Sequence, residues 1–135
     1  MVPTQNKGEA LYVARSVPIA RGWERQLDRR DGPLFYEDDL DPSAYRRWLS
    51  ARAVRFVALP DAPLDPRSEA EARLLRRPPQ WLREVWQTED WRVFAVTGAP
   101  PMASGPARVT RYELQAVTLR ATGAGTVRLR VRHSR

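Results

Sequence analysis

Cysteine is absent from the 135-residue chain, so disulfides, thiolate zinc sites and a cysteine nucleophile are excluded. Lysine is nearly absent as well: Lys7 stands alone, and almost all the basic charge is arginine. His133 is the only histidine and lies two residues from the end, with no carboxylate or nucleophile arranged around it as general acid–base chemistry needs. No apolar run approaches the ~18 residues of a membrane helix. The opening stretch Met1–Gly8 has no apolar core, is no signal peptide and reads as a soluble start. No serine sits in a nucleophile elbow, and no glycine-rich loop follows a strand. After Leu59 the junction carries Pro60 and Pro63, which have no N–H groups to offer a phosphate. That argues against a dinucleotide site, and no cofactor is expected.

What the chain does have is charge, apolar residues and proline. Hydrophobic residues make up 42% and charged residues 29%, a globular balance. Twelve prolines against seven glycines imply stiff connections. The net charge of +7 has two readings. Arginine-favouring codons of a GC-rich genome produce it without any function; an anionic partner such as nucleic acid, phospholipid headgroups or a sugar phosphate would select for it.

Hydrophobic patterning gives the architecture. Ala53–Pro60 is short, apolar and flanked by helical patterns, so it reads as a central buried strand. Ala10–Ala14 and Trp91–Val96 read as companion strands. Asp41-Pro42 opens a helix near 42–52, with Asp41 as N-cap and Tyr45, Trp48 and Leu49 on one apolar face. Asp65-Pro66 repeats the opening for a helix near 67–77, with Ser68–Glu71 as an alternative capping box. Its buried stripe is Ala70, Leu74 and Leu75, and Pro78-Pro79 stops it. Strand, helix, strand, helix, strand predicts an α/β fold of two or three layers with a mostly parallel sheet.

Beyond Pro79 the texture changes. Trp81–Trp86 and Trp91–Val96 face each other across Gln87–Asp90 as a hairpin. Gly98–Pro101 and Ser104–Pro106 read as a linker, and only β patterns follow. This suggests an α/β domain over 1–98 and a C-terminal antiparallel β-hairpin subdomain over 99–135. Alternation pairs Ala121 with Val127, Leu119 with Leu129 and Val117 with Val131, across Gly123-Ala124-Gly125. That register sets Arg120 opposite Arg128, with Arg130 and Arg132 along the same outer face. Like charges facing each other on a sheet are unfavourable, so these four arginines are a candidate anion-facing surface.

Other motifs have plain alternatives. The acidic turn Glu37–Asp41 contains an Asp39-x-Asp41 spacing that could hold a divalent cation, or it is a loop in which Asp41 caps the helix. The second reading is preferred, and no metal is expected. Five tryptophans among many arginines could stack single-stranded nucleic acid. Against that, Trp48, Trp86 and Trp91 stand at expected core positions, leaving Trp23 and Trp81 freer.

Five stretches carry a family resemblance: Tyr12–Arg15 through Arg21-Gly22-Trp23-Glu24-Arg25-Gln26-Leu27-Asp28, Leu34–Tyr36, Tyr45–Leu49, Val54–Asp65, and Glu84–Trp86 through Trp91–Val96. With them the chain resembles the soluble C-terminal domain of actinobacterial polytopic membrane proteins. Those proteins are similar to GT-C class integral-membrane glycosyltransferases. Family members tend to carry His-Trp just before the position of Glu9, where Lys7-Gly8 stand here. The resemblance implies a detached, non-catalytic, extracytoplasmic domain at the cell membrane, because GT-C catalytic acids lie in loops between membrane helices. Its implied partners are the membrane-embedded portion of its parent and a saccharide; anionic lipid headgroups are the partner expected for the arginine face of Arg120, Arg128, Arg130 and Arg132. Arg21, Trp23, Glu24, Arg25 and Asp28 are the candidate ligand-binding residues: arginine and carboxylate beside an indole suit a sugar. The same cluster could equally be a salt-bridged loop. The competing function is a free-standing basic module binding nucleic acid or another polyanion.

Overall fold

A computed structural model describes residues 17–20, 30, 32–113 and 116–131. The expected strand over 10–14 lies outside the described residues.

Pro33–Tyr36 forms a 3-10 turn that drives Phe35 into the interior. Its ring meets Tyr45 and Trp48 edge-on, with centroids 6.0 and 5.0 Å away, the geometry that aromatic quadrupoles prefer. Helix α1, Pro42–Ala51, starts where the sequence places it. Asp41 accepts hydrogen bonds from the backbone N–H groups of Ser43 (3.2 Å) and Ala44 (2.9 Å), and Pro42 fills the first position, where no donor is required. Tyr45, Trp48 and Leu49 are buried, as their spacing predicts. The helix closes with Val54 N–H bonded to Leu49 O and Ala53 N–H to Ser50 O, a paired bond pattern that needs a left-handed residue. Ala53 takes that role at φ 52°. Replacing Asp41 with Ala orphans two N–H groups and is expected to cost about 1 kcal/mol, read as a lower urea midpoint with an unchanged slope.

The second helix has a two-stage start. Asp65 caps a 3-10 turn, Pro66–Ser68, by accepting from Arg67 N–H at 2.9 Å. The α-helix α2, Glu69–Arg76, follows directly. Ser68 makes no capping bond, so the aspartate supplies the start and the alternative box is not used. Ala70, Glu71, Ala72 and Leu75 are buried, while Leu74 is only half-buried.

Strands β1 (Phe56–Pro60), β2 (Leu82–Gln87) and β3 (Trp91–Val96) form one sheet in the order β1-β3-β2. Both ladders are antiparallel, which overturns the expected mostly parallel α/β sheet. The sequence of elements explains how. β1, α2 and β2 do form a strand–helix–strand crossover, and β1 and β2 run in the same direction, both opposed to β3. The β2–β3 hairpin then lays β3 into the gap between them, so no two parallel strands are neighbours. The expected central strand is consequently at one side, and β3 holds the centre. The hairpin itself is as predicted: Thr88 N–H bonds to Trp91 O (2.8 Å), leaving Glu89-Asp90 as the loop.

Helices and sheet enclose one core on one face of the sheet. Val57, Leu59, Phe94, Val96 and Leu82 point into it against Tyr45, Leu49 and Leu75. On β2 and β3 the core face ends in an ion pair, Arg92 Nη2 to Glu84 Oε2 at 2.5 Å.

The C-terminal region pairs differently from expectation. β5 (Ala107–Glu113) joins β6 (Ala116–Ala121), and β4 (Ala103–Ser104) joins β7 (Arg128–Leu129), all antiparallel. The partners of Ala121, Leu119 and Val117 are Ala107, Val109 and Tyr112, not the residues at 127, 129 and 131. β5 offers the longer alternating partner and an aromatic–β-branched pair, Tyr112 with Val117, which stabilises a ladder better than the short tail does. Gly105 makes the crossing possible. Its φ is +93°, and a Cβ there would stand 2.2 Å from Thr126 O.

Candidate functional site

The ligand-binding candidates Arg21, Trp23, Glu24, Arg25 and Asp28 lie outside the described residues, as do Arg132 and His133. The other arginines of the expected ladder are described, and they do not share one face. The β5–β6 register puts Arg120 opposite Arg108. Arg128 stands opposite Ser104 on the β4–β7 pair. Arg130 is engaged, its Nη1 donating to Pro101 O and to Ser104 Oγ at 3.1 Å each. The ladder fails because the hairpin that would build it does not form. An opposed pair replaces it: Arg108 and Arg120 are exposed and form no ion pair among the described residues. Arg111, farther along the same outer face, is neutralised by Glu113 at 2.9 Å. The ribbon's other face carries Val109, Tyr112, Val117 and Leu119, all only half-buried.

The acidic turn is built as a loop. Asp41 is occupied as the cap, Asp38 O accepts from Arg73 Nη2 at 2.6 Å, and Asp39 stands 3.8 Å from the same guanidinium. Among the described residues no group of three or more histidine, cysteine or acidic side chains is placed to hold a metal ion. An open cleft of about 270 Å³ lies beside this turn, lined by Phe35, Glu37, Asp38, Arg67, Glu69 and Arg73. Its acids and arginines largely offset one another, and no single charge dominates it.

The surface that sequence reasoning missed is the outer face of the three-stranded sheet. Ladder register places Phe56, Ala95 and Arg83 in one row, Ala58, Val93 and Trp86 in the next, and Pro60 with Trp91 in the third. Phe56 is 51% exposed and Trp86 52%, and Trp91 is half-buried. Only Trp48 of the three tryptophans expected in the core is there. A bulge between Glu84 and Trp86 makes Val85 the extra residue of β2 and turns Trp86 to the face opposite Phe94. Trp81 packs 6.1 Å from the Tyr45 ring, with the Arg46 guanidinium 5.7 Å from its own ring. The signal that could have exposed this face is the pairing of the β2–β3 hairpin: once Phe94 points inward, Val93 and Ala95 point out.

Comparison with protein-family models, with curated proteins and with solved structures returns no match. Among the described residues no helix is long and apolar enough to cross a membrane.

Proposed function

We propose that this chain is a non-catalytic extracytoplasmic domain of a glycosyltransferase-like integral membrane protein. It docks on that protein's membrane-embedded portion and helps shape its acceptor or sugar site. The motif resemblance around Trp23–Asp28 and Val54–Asp65 supports the assignment to such a parent. The observation that carries the docking is the β5–β6 ribbon. Two strands alone are marginal in water, and this ribbon leaves the apolar side of Val109, Tyr112, Val117 and Leu119 half-covered. A half-covered apolar stripe backed by an arginine pair is the anatomy of an interface with a polar rim. Arg21, Trp23, Glu24, Arg25 and Asp28 remain the proposed sugar-facing residues in this reading.

The opposed pair of Arg108 and Arg120, with no carboxylate bridging it among the described residues, favours one competitor, a free-standing module that binds a polyanion through phosphates. The gene separates the two. Membrane spans encoded in frame upstream are the expected result, together with no sugar-transfer activity from the isolated domain. An in-frame stop codon immediately upstream, followed by a dedicated start site, would overturn the first reading and leave the second.

A further inference from the structure

We propose that the outer face of the β1–β3–β2 sheet, from the end row of Phe56 and Arg83 to the middle row of Trp86, seats the domain on an anionic lipid bilayer. The inference deepens the reading above and rests on it for bringing the domain to a membrane. Trp86 is the centre of the site. It is 52% exposed on an edge strand, beside the bulged Val85 at 40% exposure. Across the same face Phe56 is 51% exposed, and the small residues Ala58, Val93 and Ala95 between them keep the surface flat. Ala58, Val93 and Ala95 are themselves half-buried, so the side chains that meet water are Phe56 on one edge strand and Val85 with Trp86 on the other, large apolar groups of the kind that mark interaction surfaces when they cluster.

Charge identifies the occupant. Arg83 shares the row of Phe56 and Ala95, and Arg55 stands next to Phe56 with its guanidinium 5.9 Å from the ring. Both arginines are exposed, and neither makes an ion pair among the described residues. The acids near this face, Asp61 just after Pro60 and Glu89 and Asp90 in the hairpin loop, lie beyond the row of Pro60 and Trp91 and so at the other end. The face is therefore basic and apolar at one end and acidic at its tip, so an anionic surface would engage the first and stand off the second. A second copy of this chain would bring one +7 molecule against another. A nucleic acid would stack on rings but gain nothing from Val85, Val93 and the alanines. A bilayer interface takes all of them: indole and phenyl rings at headgroup depth, aliphatic side chains below, guanidinium groups on lipid phosphates.

The test uses the whole chain with vesicles of phosphatidylcholine, alone or mixed with phosphatidylglycerol. The readouts are co-sedimentation at low and high salt and quenching of tryptophan fluorescence by brominated lipid. The unsubstituted chain is expected to bind the anionic vesicles, more weakly as salt rises. Trp86→Ser should lose about tenfold in affinity and most of the quenching, and Arg83→Ser about fivefold. Trp86→Phe should retain most of the binding, which controls for a folding defect. Undiminished binding and quenching in Trp86→Ser would overturn the proposal. So would loss on Arg120→Ser without loss on Trp86→Ser, or displacement from vesicles by single-stranded DNA. If the unsubstituted chain binds no vesicle, this proposal falls while the docking reading stands, because docking needs only the membrane-embedded portion of the protein.

Discussion

Phe94→Ala is expected to destabilise the domain by about 3–5 kcal/mol, the cost typical of emptying a fully buried aromatic site. Phe94 sits at 0% exposure in the central strand, opposite Val57 of β1 and Glu84 of β2. It is laddered to both neighbouring strands and shares the buried cluster with Tyr45, Leu49 and Leu75 of the helices, so the vacated space cannot collapse without moving a ladder. Domains of this size have a net stability of only about 5–15 kcal/mol, so the variant approaches the edge of folding. Chemical denaturation should show a large drop in midpoint at nearly constant slope. The control is Trp86→Ala on the opposite face, where more than half of the side chain is already in water. It should cost less than about 1 kcal/mol. A small effect at Phe94, or comparable effects at both positions, would mean that the core does not lie on the face assigned to it.

How legible this was in the sequence differs from element to element. The start of α1 was readable from Asp41-Pro42 alone, because a cap acts through atoms two and three residues away. The β2–β3 hairpin was readable for the same reason: its partners are close in sequence. Parallel versus antiparallel order was not, since apolar periodicity says which side chains are inside and nothing about which strand lies alongside. Ala53–Pro60 illustrates it. The apolar run Phe56–Pro60 within it suggests a strand covered on both faces, yet Val57 is at 0% exposure and its neighbour Phe56 at 51%.

Register failures explain the missed site. At the C-terminus, two tails offered β6 an acceptable alternation, and composition could not rank them; the choice of Ala107–Glu113 dissolved the arginine ladder. At Trp86 a single extra residue, Val85, reversed the face of a tryptophan that alternation alone would have buried. The sugar-facing candidates at 21–28 lie outside the described residues, so the structure leaves their proposed role where the resemblance put it.

Glu71 was also concealed by its charge. It lies four residues before Leu75, on the buried side of α2, and is at 0% exposure. Its Oε1 accepts a hydrogen bond from the hydroxyl of Tyr45 on α1, also at 0% exposure, so one polar contact ties the two helices through the core. No buried side-chain polar atom among the described residues lacks a partner, as a low-dielectric interior demands. Tyr45→Phe removes one donor from the carboxyl group, and Glu71→Met removes one acceptor from a buried hydroxyl. Each is expected to cost about 1–3 kcal/mol, the penalty for leaving a buried polar group short of a partner. The double variant removes both ends of the bond together, so its cost should fall below the sum of the two singles by about 1–2 kcal/mol. Denaturation midpoints of the unsubstituted chain, both singles and the double give that difference directly. Additive losses would show that the contact contributes nothing beyond the separate packing of the two side chains. A double variant more damaged than the sum would instead show that each single is partly compensated by the side chain left in place, the opposite of a bond whose loss the two singles share.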